Sequence, residues 1–194
     1  MVSLTKAELR TAILADRRAV TPDAHDAEAR ALCGHLPDVV AVGQTVCAYV
    51  PIRFEPGSIA LLDTLLRLDA GVLIPVARID ADSVPQPLQW GEYRPGRLVT
   101  AQFGLLEPPE PWLPAEAVAY ATIVFVPALA VDGAGVRLGR GAGFYDRSLP
   151  LADPAARLVA VVRDDELVDR IPAERHDVRM THALTPRQGL VALG

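Results

Sequence analysis

Residues 122–147 read TIVFVPALAVDGAGVRLGRGAGFYDR, in which an apolar run leads into a loop rich in glycine and arginine. The first five residues are β-branched or aromatic and are predicted to form a buried strand. Further along, Gly139, Gly141 and Gly143 alternate with other residues. A backbone without side chains can reach positive φ and turn its N–H groups toward one anion. The glycine-rich loop, residues 137–147, is therefore predicted to bind a phosphate.

Charged residues lie on the same loop. Arg137, Arg140 and Arg147 bring positive charge. Asp146 can hold a metal ion that shares the phosphate oxygens. A P-loop would need Lys-Ser or Lys-Thr after its last glycine, and the dinucleotide-binding fingerprint spaces its glycines differently. The loop is interpreted as a polyphosphate site of another kind, and the alternative is a solvated surface loop.

The composition predicts one globular domain over residues 1–194, because 51% of the residues are hydrophobic and 22% are charged. A formal net charge of −5 argues against general nucleic-acid binding. Residues 1–18 lack the apolar core of an export signal, and the apolar stretch 117–131 is too short to span a bilayer. A cytoplasmic protein is expected, with Cys33 and Cys47 as buried, reduced thiols.

The alternation of helical and apolar patterns predicts an α/β fold. Helices are predicted over 5–18, from Thr21 until Gly34 and Pro37 close the second one, and from Ser58 to Gly71. Strands are predicted over 45–50, 72–75, 122–126, 158–162 and, last, 183–185, with short strands near 88–90 and 98–99. This pattern is typical of a mainly parallel sheet covered on both faces. Because ligands bind beyond the carboxyl ends of such strands, Glu55 and the glycine-rich loop are expected on the same rim.

Five segments of the chain carry motifs that occur in a fixed order. They are KAELR at 6–10, Phe54-Glu55, FGLLEP at 103–108, the run 126–147, and Ile171-Pro172 followed by His176-Asp177. In this order they resemble the 5-formyltetrahydrofolate cyclo-ligase family, also called methenyltetrahydrofolate synthetases. The resemblance extends over nearly the whole chain.

The resemblance implies a monomeric enzyme with a single three-layer α/β/α domain. Such an enzyme uses ATP and Mg²⁺ to convert 5-formyltetrahydrofolate to 5,10-methenyltetrahydrofolate, releasing ADP and phosphate. The implied reaction phosphorylates the formyl oxygen, after which the folate N10 attacks and phosphate leaves to close the ring. Reduced folate and ATP are the implied ligands, and neither a nucleic acid nor a membrane is an implied partner.

The motif match also implies a role for each site residue. ATP would contact Lys6, Arg10, Arg137, Leu138, Gly139, Arg140, Gly141, Ala142, Gly143, Phe144 and Tyr145. The folate would contact Val50, Glu55, Arg140, Gly141, Ala142, Gly143 and Phe144. The catalytic residues would be Arg137, Arg140 and Tyr145, and the magnesium ligands would be Asp146 and Asp177.

Two other functions fit parts of the sequence. Many members of the family carry Gly or Lys where this chain has Ala142, and this departure favours a non-catalytic folate- or nucleotide-binding protein. A sugar-phosphate isomerase-like enzyme could use the glycine-rich loop as an anion cup, but it needs a general base that the sequence does not identify. Lys6 and Arg10 would, without the resemblance, be interpreted as a solvated cationic pair, and Glu55 as part of an exposed turn.

Overall fold

The computed structural model of this protein describes residues 5–174 and 177–194. Its helices are α1 Lys6–Ala19, α2 Pro22–Val39, α3 Ile59–Arg67 and the short α4 Phe144–Ser148. Its strands are β1 Thr45–Cys47, β2 Gly71–Val76, β3 Gln89–Glu92, β4 Val99–Thr100, β5 Leu106–Glu107, β6 Ile123–Pro127, β7 Ala130–Asp132, β8 Arg137–Leu138, β9 Arg157–Val161, β10 Leu167–Val168, β11 His182–Thr185 and β12 Gly189–Ala192. Short 3-10 helices lie at Gln102–Gly104, Ala115–Tyr120, Leu149–Leu151 and Asp164–Glu166.

A seven-stranded sheet forms the centre of the fold, with the strand order β12-β11-β9-β6-β1-β2-β3. The five inner strands pair in parallel, and β12 and β3 add one antiparallel strand at each edge. This mixed, mostly parallel sheet with helices around it confirms the predicted α/β fold. Parallel strands need crossover connections, and these bring helices onto the faces of the sheet.

The central strands are buried on both faces because a separate core covers each face of the sheet, and successive side chains point alternately into the two cores. In β6, Ile123 and Phe125 join the core under α2 and α3, whereas Val124 and Val126 join the core on the opposite face. The second core is completed by the 3-10 helix Ala115–Tyr120 and by residues following the glycine-rich loop. A continuous apolar run is thus the correct signature of a central strand here.

Helix α1 packs away from the main sheet. Thr5 caps it with a capping box, in which its side chain and that of Glu8 each bond the other residue's backbone N–H. Leu9 and Ile13 pack against a three-stranded sheet of order β10-β7-β8. This small sheet connects β6 to the glycine-rich loop, so α1 lies next to that loop. Within the described part of the chain, no helix is long and apolar enough to cross a membrane.

The predicted end of the second helix is wrong, because α2 continues through Gly34 and Pro37 to Val39. A proline in the last turn removes one helical hydrogen bond, and burial of Leu36 and Val39 outweighs that loss. The end of the third helix is also wrong. Helix α3 stops at Arg67, and Asp69, with φ of +58°, turns the chain so that Gly71 begins β2 instead.

Three strand predictions also need correction. The strand predicted over 45–50 ends at Cys47, and Tyr49 and Val50 beyond it line a cavity. The strand over 122–126 does not lead directly into the glycine-rich loop, because the hairpin of β7 and β8 intervenes. The strand over 183–185 is not the last, since β12 pairs back onto it. Strands β1, β7, β8 and β12 are short, and such strands carry too little periodicity to be predicted from the sequence.

Candidate active site

The glycine-rich loop begins with β8, at the edge of the small sheet, and runs into α4. Gly141 and Gly143 have φ of +99° and +81°, values that residues with a side chain rarely adopt. Gly139 is held for a different reason, since an added Cβ would lie 2.8 Å from the Nη1 atom of Arg137. Two of the three alternating glycines are therefore required by backbone conformation, and a side chain at the third would have to displace the end of the Arg137 side chain.

Two cavities meet at this loop. The apolar cavity has a volume of about 700 Å³ and is walled largely by apolar side chains from the ends of β1, β2 and β6 and from the loops that follow them. The charged cavity has a volume of about 470 Å³. Both are lined by the same six residues of the glycine-rich loop: Arg137, Gly139, Gly141, Ala142, Gly143 and Asp146. The loop is thus a shared wall, and a ligand in one cavity lies next to a ligand in the other.

The charged cavity contains both of the predicted magnesium ligands and both of the predicted phosphate-binding cations of α1. Four cations line it, namely Lys6, Arg10, Arg137 and Arg147, against three carboxylates, Asp146, Glu174 and Asp177. A polyphosphate would meet converging positive charge there. Within residues 5–174 and 177–194, no group of three or more His, Cys, Asp or Glu side chains is arranged to hold a metal ion.

Ion pairs hold the side chains of the charged cavity in place. The Lys6 Nζ atom lies 2.9 Å from Oδ2 of Asp177, and the Arg137 Nη2 atom lies 2.7 Å from Oδ1 of Asp146. Arg10 donates from Nε to the carbonyl oxygen of Gly139 at 2.9 Å. Helix α1 is therefore bound directly to the glycine-rich loop and to the segment at Asp177. His176, which precedes that aspartate in the quoted motif, lies outside the described residues.

Glu55 and Arg140 contact each other at the apolar cavity, whereas the positions of the strand ends predicted only that Glu55 and the glycine-rich loop share a rim. The Arg140 Nε atom lies 3.1 Å from Oε1 of Glu55, and the backbone N–H of Ile52 donates to Oε2 at 3.0 Å. Glu55 is only 7% exposed, so it is not the residue of an exposed turn. Its carboxylate is fixed by both contacts and keeps free lone pairs for a donor on a ligand.

Tyr145 and Phe144, at the start of α4, line the apolar cavity together with Val50. Burial raises the pKa of Tyr145, with a further contribution from the charge of Glu55, so its hydroxyl remains protonated at neutral pH. The guanidinium carbon of Arg137 lies 5.7 Å from the centre of the Tyr145 ring, within cation–π range. Tyr145 is thus a neutral hydrogen-bond donor beside a cation.

Not every predicted ATP ligand reaches the charged cavity. Arg140, Phe144 and Tyr145 line only the apolar cavity. Leu138 lines neither cavity, because its side chain is fully buried in the core beneath α1. The glycine-rich loop therefore divides its residues between the two cavities.

Two buried polar residues of the apolar cavity were not predicted from the sequence. Arg17 and Tyr49 line it, and both are almost completely buried. A signal for Arg17 was present, since Leu9, Ile13 and Arg17 follow one another at intervals of four and so share one face of α1. An arginine that continues an apolar helical stripe is a candidate for a buried, functional cation.

Comparison with known structures shows which fold this arrangement belongs to. An NMR structure of Aquifex aeolicus 5,10-methenyltetrahydrofolate synthetase matches with a TM-score of 0.75 at 22% identity, covering 97% of this chain and 93% of that one. A 5,10-methenyltetrahydrofolate synthetase from Mycoplasma pneumoniae matches with a TM-score of 0.69 at 16% identity, covering 91% and 96% of the two chains. At these identities the likeness shows the shared α/β fold.

Comparison of sequences shows the family. The family model described as 5-formyltetrahydrofolate cyclo-ligase matches residues 2–186. A 5-formyltetrahydrofolate cyclo-ligase of Mycolicibacterium smegmatis is 63% identical over 189 residues, which is 97% of each chain, and one of Escherichia coli K12 is 26% identical over 174 residues, covering 88% of this chain and 94% of its own. The fold and these relatives define an α/β enzyme of the cyclo-ligase kind. The chain belongs to the 5-formyltetrahydrofolate cyclo-ligase family.

Proposed function

We propose that this enzyme converts 5-formyltetrahydrofolate to 5,10-methenyltetrahydrofolate at the expense of ATP, with Mg²⁺ bound at the phosphates. The observation that carries the proposal is the shared wall between the cavities. An apolar cavity with the fixed carboxylate of Glu55 suits a reduced folate, and a cavity lined by four cations suits a triphosphate. A phosphoryl group can pass from the triphosphate to the folate only where the two ligands meet. They would meet at the glycine-rich loop.

The proposed chemistry solves a leaving-group problem. The formyl oxygen of the substrate would leave poorly as hydroxide, and transfer of the γ-phosphoryl group to it makes it a phosphate. The folate N10 then attacks the formyl carbon, which closes the ring, and N10 loses its proton. The C–O bond breaks with loss of inorganic phosphate, which leaves the methenyl product. In phosphoryl transfer the protein contributes mainly positioning and charge stabilisation, which fixed cations and backbone N–H groups provide.

The cations are assigned by the cavity that each one faces. Lys6 and Arg10 would hold the ATP phosphates from α1, and Arg137 would hold them from the loop that both cavities share. Arg140, fixed by Glu55 on the folate side, would stabilise the charge that develops on the transferred group. Ala142 carries no charge, so this loop depends on Arg140 and Lys6 for the positive charge that a lysine would supply there.

The carboxylates on the charged cavity fit a magnesium ion bound jointly with a ligand. Mg²⁺ is usually held by one or two carboxylates together with substrate phosphates and waters. Asp146 and Asp177 face the same cavity, and we assign them this role. Each is paired with a cation, Arg137 or Lys6, that would also contact phosphate. Mg²⁺ bound there would neutralise charge on the phosphates.

The remaining assignments concern the folate. Glu55 would accept hydrogen bonds from the pteridine ring, while Val50 and Phe144 would pack against it. Tyr145 would donate a hydrogen bond from its neutral hydroxyl near the reacting formyl group.

The test is the near-ultraviolet absorbance of the methenyl product, recorded with purified enzyme, 5-formyltetrahydrofolate, ATP and Mg²⁺. The proposal expects a rise that requires all three additions. Arg140→Met should lower kcat by about 100-fold, the usual effect of losing one charge-stabilising donor. Arg94→Met is the matched control, because Arg94 is 67% exposed and away from both cavities, and it should leave kcat unchanged.

Other outcomes separate the alternative functions. No rise in absorbance while both ligands bind by calorimetry would show a non-catalytic binding protein. Failure of ATP to raise the thermal unfolding temperature would refute the assignment of the charged cavity to ATP, because a ligand that binds only the folded state must stabilise it.

A further inference from the structure

Asp132 is a buried carboxylate that the proposed chemistry does not use. It ends strand β7, is 3% exposed and lines neither cavity. Its Oδ1 atom accepts hydrogen bonds from the backbone N–H groups of Ala134 and Val136, at 3.0 and 2.9 Å. Its Oδ2 atom accepts from the backbone N–H of Ile171 at 2.9 Å. A buried carboxylate is costly unless hydrogen bonds compensate it, and here three backbone N–H groups do so.

The two oxygens of Asp132 bond different parts of the chain. Oδ1 closes the hairpin turn, residues 132–136, which joins β7 to β8. Oδ2 bonds a residue 39 positions further along the chain. Ile171 is 2% exposed and packs in the core beneath α1, so this hydrogen bond is shielded from water. One carboxylate therefore ties the hairpin turn to the start of the Asp177 segment, defined as the described residues 171–174 and 177–180.

The same turn also binds the far end of the Asp177 segment. The backbone N–H of Met180 donates to the carbonyl oxygen of Gly135 at 2.8 Å, and Nη1 of Arg179 donates to that of Ala134 at 2.9 Å. The approach is so close that a Cβ added at Gly135 would collide with the carbonyl oxygen of Met180. Gly135 also has a φ of +80°, which residues with a side chain rarely adopt. Because a backbone oxygen cannot move aside as the end of a side chain can, this position requires glycine.

Between these two attachments, the Asp177 segment brings carboxylates to the charged cavity. Glu174 and Asp177 line that cavity, and Asp177 accepts a hydrogen bond from Nζ of Lys6 at 2.9 Å. No described residue of the segment lines the apolar cavity. On its other side the hairpin turn continues through β8 into the glycine-rich loop, which is another wall of the charged cavity. The turn therefore sets the position of one wall of the charged cavity relative to the other.

Resting on the function proposed above, we propose that Asp132 and Gly135 are positioning residues for ATP binding. They hold the Asp177 segment at the charged cavity, so that Asp177 and Lys6 already stand where the phosphates and Mg²⁺ bind. A ligand that finds these groups in place does not lose affinity to ordering them. Residues that position metal ligands are typically worth about 10–100-fold in metal affinity. Weaker positioning should therefore lower the affinity for ATP with Mg²⁺ and leave the affinity for the folate unchanged.

The test measures dissociation constants by titration calorimetry for two ligands, ATP with Mg²⁺ and 5-formyltetrahydrofolate. Asp132→Asn keeps the size of the side chain but has one acceptor oxygen, which can serve the turn or Ile171 but not both. Its dissociation constant for ATP should rise about tenfold, and that for the folate should not change. Gly135→Ala, which displaces Met180, should show the same pattern.

Two other glycines separate the close contact from the general effects of alanine. Gly133 lies in the same turn with open space around it, and Gly133→Ala should keep both dissociation constants. Gly43, with a φ of +76° and open space around it, lies before β1 and lines neither cavity. Gly43→Ala therefore has the backbone strain of Gly135→Ala without the collision, and it should also keep the wild-type affinities.

A double variant shows whether Asp132 acts through Asp177. In an Asp177→Asn background, the further change Asp132→Asn should have little effect on ATP binding, because the group that it positions is already altered. A further loss of about tenfold in that background would show that Asp132 acts elsewhere, and would overturn the inference.

A measurement on the wild-type enzyme does not depend on the folding of any variant. Because coupling between two sites is reciprocal, ATP must strengthen the contacts that favour its binding. ATP with Mg²⁺ should therefore slow hydrogen exchange of the Ile171 and Met180 amides. The slowing should exceed that caused by a concentration of 5-formyltetrahydrofolate that raises the melting temperature equally. Equal slowing by the two ligands would contradict the positioning role.

Two calorimetric results would also refute this role. One is an unchanged dissociation constant for ATP in both Asp132→Asn and Gly135→Ala, and the other is an equal rise for ATP and for the folate. A wild-type enzyme that binds the folate but not ATP would instead refute the proposed function. The two failures are distinguishable, because the first leaves ATP binding by the wild type intact.

Discussion

Replacing Glu166 by alanine measures the cost of leaving Arg17 buried without its carboxylate partner beside the apolar cavity. The substitution removes both oxygens that accept from Arg17, at 2.6 and 2.8 Å, and leaves a guanidinium that is 1% exposed without a counter-ion. Loss of one partner from a buried pair costs about 3–5 kcal/mol, because the remaining charge is neither solvated nor neutralised. For a chain of this length each kcal/mol lowers the melting temperature by roughly 2–4 °C, so a fall of about 6–20 °C is expected.

A second arginine–glutamate pair in the same protein provides the control. Arg94 and Glu92 are as close, at 2.7 Å, but their side chains are 67% and 64% exposed. Water and salt screen such a pair, and Glu92→Ala should cost less than about 1 kcal/mol. The free energy of unfolding is measured by urea titration followed by tryptophan fluorescence, with calorimetry for the melting temperature. Equal losses in the two variants would refute the argument that burial, rather than contact distance, decides the contribution.

Three further predictions concern the metal, the glycines and a buried thiol. Asp146→Ala should abolish magnesium-dependent turnover, measured by a Mg²⁺ titration of activity. The variant should fold but melt below the wild type, because Arg137, with a side chain 7% exposed, loses its carboxylate partner. Gly34→Ala, in α2 with open space around it, should stabilise the protein by about 0.5–1 kcal/mol, whereas Gly141→Ala, at φ of +99°, should cost about 1–2 kcal/mol and weaken ATP binding. Burial raises the pKa of Cys47 to about 12. At alkaline pH the thiol therefore stays protonated in the native state but is ionised in the unfolded state. The free energy of unfolding should therefore fall as pH rises. Between pH 9 and 10 it should fall by roughly 1 kcal/mol more in the wild type than in Cys47→Ala. Urea titration at each pH measures the difference.

Each of these three predictions has an outcome that would contradict it. Near-normal turnover of Asp146→Ala at every Mg²⁺ concentration would remove this residue from the metal site. Equal effects of alanine at positions 34 and 141 would show that backbone conformation at the loop is not restrictive. An identical alkaline slope in the wild type and Cys47→Ala would mean that the thiol titrates equally in the folded and unfolded states.

The architecture was predictable where hydrophobic patterns are long. Strand β6 was visible as a run of apolar residues because central parallel strands are buried on both faces. A common rim for Glu55 and the glycine-rich loop was predicted because loops at the carboxyl ends of parallel strands lie at one edge of a sheet, but the contact of Glu55 with Arg140 was not predicted. The family motifs then supplied residues that no periodicity marks, such as Asp177.

The failures have physical causes that a single sequence does not reveal. Gly34 and Pro37 normally end helices, but tertiary burial of the apolar face of α2 outweighs local preference. Arg17 was missed because an arginine is expected in solvent, and only its partner Glu166, far along the chain, makes burial tolerable. The hairpin of β7 and β8 leads into the glycine-rich loop and so decides which cavity each residue of the loop faces. The strands of this hairpin are too short to predict from the sequence.

Helix α1 touches both cavities, and its length therefore acts as a spacer. Lys6 and Arg10 stand at the charged cavity and Arg17 at the apolar one, along one continuous helix. Eleven residues of helix correspond to about 16 Å, so the separation of the two anchoring points is set by helical rise. Changes on the outer face of α1 leave that spacing intact. Insertion of a single residue between Arg10 and Arg17 would rotate Arg17 by about 100° out of its cavity, so in this helix residue count is under stronger constraint than residue identity.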